Sequence, residues 1–189
     1  MRIATTLAIA AVLSCTTLLS ASAQSLTTQQ VTLDSQSASR ALDAIPAVFV
    51  VAQNVDGAEI DLSADGMASG FSDLADETAA LDQLTAALGA YGFEGYPDWA
   101  ATVRTIFTVY GFIRSERWAA PMIDRALQQI LSDPGIPQIQ KDAIVDRMDG
   151  LPVDIPETVG APPTEQNLMV VIELVPHIET TIETMRAMR

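Results

Sequence analysis

Cysteine occurs once in this chain, at Cys15, and histidine once, at His177. With one thiol there is no internal disulfide, and with one imidazole there is no zinc site of the usual several-ligand kind. Basic side chains are also scarce: ten Lys and Arg stand against 24 Asp and Glu, a formal net charge of -14. A surface so short of cations does not follow the phosphates of nucleic acid and is repelled by anionic lipid headgroups. No glycine-rich phosphate cradle and no strand-turn-helix nucleophile elbow occurs. Beyond the leader, no apolar run approaches the length of about 18 residues that crosses a bilayer, so no transmembrane segment is expected in the mature chain.

What is present begins with a leader. Arg2, the apolar run Ile3 to Leu13 and the small residues Ala21, Ser22 and Ala23 read as a secretory signal peptide over 1–23, cleaved after Ala23, which places the protein outside the cytoplasm as a periplasmic or secreted chain. The alternative is a lipoprotein signal at Val12, Leu13, Ser14 and Cys15, with Cys15 acylated and anchored. In either case no free thiol remains to do chemistry, and stability rests on packing. The rest is long enough for one domain with a real core.

Residues 24–34 are polar and are expected to form a flexible lead-in; residues 35–189 are read as a single helical domain. From Ser35, the positions Ala38, Ala41, Leu42 and Ile45 have helical spacing, and Pro46 is expected to interrupt them. The following run, with Val48, Phe49, Val50 and Val51, fits either a second helix or the first strand of a short β-hairpin near residues 47–62 turning at Asp56 and Gly57. Helix is favoured, because no other strand is available for a hairpin to join. Asp56 to Gly70 reads as a loop, after which Ser72 or Asp73 can cap a helix with Leu74, Leu81, Leu84, Leu88 and Tyr91 on one side.

Gly92 and Gly95 mark a corner into the stretch Gly95 to Ser115, where Trp99, Val103, Ile106, Phe107, Tyr110 and Ile113 recur at steps of three and four. That large apolar face makes it the expected central helix, with Arg104, Thr105, Thr108 and Arg114 as its polar remainder. A further helix carries Met122, Ile123, Ala126, Leu127 and Ile130. Another, started by Pro137, carries Ile139, Ile144, Val145 and Met148 as far as Gly150. Four prolines between Leu151 and Pro163 predict an extended crossover over 151–163. Thr164 then caps a last helix whose Leu168, Val171, Val175, Ile178, Ile182 and Met185 form a heptad seam that keeps its phase across Pro176. Such a seam closes its own bundle or pairs two copies, so the chain is a monomer or a helix-paired homodimer. The fold class expected is all-α, a single irregular bundle of about five or six helices.

Four patterns bear on function. Asp61, Leu62, Ser63, Ala64, Asp65 and Gly66 resemble the opening of an EF-hand calcium loop, with oxygen ligands at alternating positions and Gly at the turn. The twelfth position, however, is Ser72 in place of a bidentate Glu. The calcium ligands this implies are Asp61, Ser63 and Asp65, and calcium is the one cofactor it implies. Acid pairs such as Asp76 with Glu77, or Glu179 with Glu183, have the chemistry of a carboxylate hydrolase, although an acidic chain places such pairs along solvated helix faces by chance. His177, next to Pro176, reads as a structural histidine. Tyr91, Phe93, Tyr96 and Trp99 read as a packed interhelical corner.

Together these features describe an exported, non-catalytic helical binding or interaction protein of the cell envelope, with no catalytic residues assigned. Its partner would be a protein or a cationic ligand and not nucleic acid. The alternatives are a calcium-stabilised module built on the Asp61–Gly66 loop and a carboxylate-based hydrolase.

Overall fold

The computed structural model describes residues 30–53, 78–116, 121–151 and 162–188. Among them the chain is an all-α bundle of six helices: α1 (Ser35–Ala52), α2 (Thr78–Gly89), α3 (Tyr96–Glu116), α4 (Pro121–Ser132), α5 (Gln138–Gly150) and α6 (Glu165–Ala187). The Asp56–Gly70 loop, the Ser72/Asp73 cap, the second half of the alternative hairpin and most of the proline-rich crossover lie outside the described residues.

Asp34 starts α1 by accepting a hydrogen bond from the Ser37 amide at 2.9 Å. That amide and the Ser37 hydroxyl hold the Asp34 carboxyl below its ordinary value of 3.8. The interruption expected at Pro46 does not occur: α1 passes through it to Ala52. Proline removes one backbone donor, yet its fixed φ is helical, and Ala44, Ile45, Val48, Phe49 and Ala52 on both sides of it are buried. Burying Ile45, Val48 and Phe49 contributes about 1.5–3 kcal/mol each, more in sum than the roughly 3 kcal/mol a proline costs inside a helix. Residues 47–52 are therefore helix, as favoured, and the first strand of the hairpin is absent.

Helix α2 ends in a Schellman turn. The Phe93 amide donates to the Leu88 carbonyl at 3.3 Å and the Gly92 amide to the Gly89 carbonyl at 3.1 Å. Gly92 occupies the left-handed position with φ 81°. Leu88 and Phe93 are both buried beneath the turn, which leads directly into α3.

On α3, Trp99, Val103, Ile106, Phe107, Tyr110 and Ile113 are all buried, as their spacing predicts. Thr105 departs from its assignment to the polar remainder. It is 2 % exposed and donates to the Ala101 carbonyl at 2.9 Å, which satisfies its hydroxyl inside the core. Nor is α3 the hub. It packs on α1, α2 and α6, whereas α6 packs on α1, α3, α4 and α5. An aromatic face marks a buried helix, but the number of neighbours depends on how many sides are apolar. Helix α6 buries Val170 and Ile172 in addition to its seam.

The seam Leu168, Val171, Val175, Ile178, Ile182 and Met185 is buried throughout and closes this chain's own bundle. Thr164 caps α6, its hydroxyl accepting from the Asn167 amide at 3.2 Å, and the helix continues through Pro176. One further expectation fails on α5. Ile139 is 81% exposed, because the buried stripe there is Lys141, Ile144 and Met148. Ile139 lies two residues, about 200° around the helix, from Lys141.

Candidate functional site

The polar groups that the fold brings together lie along α6. Ser35, Ser39 and Asp43 recur every four residues on α1, and Glu173 and His177 do so on α6. The Ser35 hydroxyl donates to Glu173 Oε2 at 3.0 Å, Ser39 Oγ lies 3.5 Å from His177 Nδ1, and His177 Nε2 lies 3.1 Å from Asp43 Oδ1. Partners rise together along both helices, so α1 and α6 run parallel. From α5, Gln140 Nε2 donates to Glu173 Oε1 at 3.4 Å.

Ser39, His177 and Asp43 are the residue types of a nucleophile relay, and sequence reading missed that His177 has a serine within reach. Ser39 and Asp43 stand i and i+4 on one helix, but 138 residues separate Ser39 from His177 and no local motif links them. The geometry is that of a clasp. At 3.5 Å the Ser39 contact is at the limit of a hydrogen bond. Ser39 also lies inside α1, where neighbouring backbone amides are committed to the helix ladder and do not form an oxyanion hole. His177 and Asp43 have side chains 31% and 52% exposed, which screens their attraction with solvent.

A second cluster surrounds Glu179, which accepts the hydroxyl of Tyr110 from α3. Burial, then the like charge of Glu183 one turn on, hold the Glu179 carboxyl above its ordinary value of 4.5, while Arg186 acts in the opposite sense. Glu183 itself is exposed and lies 3.7 Å from Arg147 Nη1 of α5. Each carboxylate of this pair therefore has its own partner. Arg114 sits over the Tyr110 ring, 5.7 Å from its centroid.

The third arrangement involves the residues that precede α1. Asn167, 1% exposed, accepts from the Leu33 amide at 2.9 Å and donates to the Val31 carbonyl at 2.9 Å. Gln166 Nε2 donates to the Leu33 carbonyl at 3.0 Å, and the Val31 amide donates to Thr105 Oγ1 at 3.1 Å. The side-chain amide of Asn167 thus stands where the peptide group of a neighbouring strand would stand. Leu33 is buried in the core between these bonds. The last residues of the 24–34 lead-in are accordingly held on α3 and α6.

Comparison with family models, with curated proteins and with solved structures finds no match for this chain.

The calcium-loop residues Asp61, Ser63 and Asp65 and the pair Asp76 and Glu77 lie outside the described residues. Among the described residues, no group of three or more His, Cys, Asp and Glu side chains is placed to hold a metal ion. No described helix is long and apolar enough to cross a membrane. In the aromatic corner, the Tyr96 and Trp99 rings lie 5.8 Å apart and both are buried. Trp99 Nε1 donates to the Ala41 carbonyl at 3.0 Å, tying α3 to α1.

Exposed charge on the described surface is strongly one-sided. Asp82, Asp98, Asp124, Asp142, Asp146, Asp149 and Glu165 are all exposed, spread over five helices. Of the described cations, Arg40, Arg104 and Arg114 are half-buried and Lys141 is buried, while Arg125, Arg147 and Arg186 are exposed.

Proposed function

We propose that this chain is an exported, non-catalytic helical interaction protein of the cell envelope that engages a cationic protein or peptide. The supporting observation is the distribution of charge: acids project from helix after helix, while much of the small basic complement is drawn inward. Such a surface carries a negative potential that speeds the approach of cationic partners and repels anionic ones. The carboxylates of Glu179 and Glu173 are occupied by Tyr110 and by Ser35 with Gln140. They act as joints between helices.

The test is binding of the chain from Gln24 to fluorescent oligolysine and oligoglutamate peptides across a salt series. The expected result is association with the cationic peptide that weakens steeply with salt, and weakens further when Asp142, Asp146 and Asp149 on α5 are changed to Asn. Equal binding of both peptides, or none of the cationic one at low salt, would sink the reading.

A further inference from the structure

The hydrogen bonds to residues 31 and 33 share one property. All four backbone polar groups of these two residues are served, and every partner is a side chain: Thr105 for the Val31 amide, Asn167 for the Val31 carbonyl and the Leu33 amide, and Gln166 for the Leu33 carbonyl. Alternate residues of an extended chain turn the same edge toward a neighbour, and a sheet edge reads that periodicity with its own backbone. Here two helices do so with side chains. Thr32, between them, is exposed, whereas Leu33 is 2 % exposed and Val31 is half-buried.

We infer that the α3–α6 groove formed by Thr105, Gln166 and Asn167 is a receptor for an extended peptide with apolar side chains at two alternate positions, and that residues 31–33 fill it in cis as a displaceable plug. The recognition chemistry is on the backbone, so it selects conformation, while the seat of Leu33 selects an aliphatic side chain. A plug joined directly to α1 is present at an effective concentration in the millimolar range, so it excludes weak peptides until it is released. The groove is built from neutral side chains, so peptide binding there is independent of the acidic surface.

The experiment uses the full mature chain carrying Val31→Asp and Leu33→Asp, which ejects the plug and leaves the Asp34 cap intact. A fluorescent peptide of residues 27–36 is added and its anisotropy followed. The double variant should bind it in the range of about 0.1–1 mM, while the unmodified chain binds at least tenfold more weakly because its groove is occupied. Adding Asn167→Ala, or methylating the peptide nitrogen that corresponds to Leu33, should each weaken binding about tenfold. Absence of binding at 5-fold above that range by a variant with unchanged helical circular dichroism would overturn the proposal, as would binding indifferent to Asn167. If the double variant does not fold, hydrogen exchange on the unmodified chain decides. Val31 and Leu33 amides that exchange well before those of α6 show a releasable plug, and exchange only by global unfolding refutes it.

Discussion

Replacing Asn167 by Asp changes one group, NH2 to O, at a position 1% exposed, and its consequence can be worked from the contacts. One carboxylate oxygen still accepts from the Leu33 amide. The other faces the Val31 carbonyl at the 2.9 Å now spanned by a donor, so two acceptors meet in a buried place. Ejecting residues 31–33 relieves the clash, which caps the loss at what their docking contributes. Burial of Leu33 at about 1.5–3 kcal/mol and four hydrogen bonds near 1 kcal/mol each, set against about 1 kcal/mol for ordering each of three residues, puts that cap at about 2.5–4 kcal/mol.

For a domain of this size the thermal midpoint at pH 7.5 should fall by roughly 5–12 °C. The loss should depend on pH. Burial raises the folded pKa of the new carboxyl above its unfolded value, so the stability it contributes is fully present when protonated and is lost as pH rises through the folded pKa. Protonated, it again offers a donor to Val31. Midpoints measured from pH 8 to pH 4 should therefore converge on the parent for Asn167→Asp but stay apart for Asn167→Ala. A deficit that is the same at both ends of the range, or one below about 1 kcal/mol, would refute the account of Asn167 as a paired donor and acceptor.

Gly92→Ala puts a Cβ on a residue with φ 81° and 3.0 Å from Arg40 Nη1, and should lower stability by about 1–2 kcal/mol in urea unfolding. Pro46→Ala restores the amide that α1 lacks and should raise the midpoint; a lower midpoint would mean that the ring's packing outweighs the missing hydrogen bond. Glu179→Gln keeps an acceptor for Tyr110 and cannot ionise. Because the folded Glu179 pKa is raised, its contribution is complete below about 4.5 and declines as pH rises, so the variant should be the more stable at pH 7 and level with the parent at pH 4. For the Asp61–Gly66 loop, millimolar calcium against chelator, with magnesium as control, is decisive. A rise of roughly 5–10 °C that disappears with Asp61→Asn and Asp65→Asn establishes the cation loop, and an unchanged midpoint retires it.

Much of the fold was legible because helical burial leaves a period in the sequence. The α3 face and the α6 seam could be written down residue by residue, and Thr164 announced its cap. Pro46 misled because a local rule about one missing donor was set against burial on both sides of it, which only tertiary structure reveals. Ile139 misled because a short helix with three other apolar residues fits more than one stripe. The long-range polar contacts were not legible at all. Asn167 with Leu33, and His177 with Ser39, join residues more than 130 positions apart, and a lone Asn or Ser carries no periodicity. Among the candidate site residues, sequence reading noted Glu179 only as one of several acid pairs. Its partner Tyr110 was assigned to the apolar face, and the ring does lie there while its hydroxyl reaches α6.

The hub of this bundle is also the last of the described helices. Helices α1, α3, α4 and α5 each pack on α6, and α6 follows all of them along the chain, so it is the last of them to be made. Helices α1, α2 and α3 can pack on one another beforehand, but the joint core with α4 and α5 must wait. This order of arrival leaves α4 and α5 without the helix they chiefly pack on until α6 joins them.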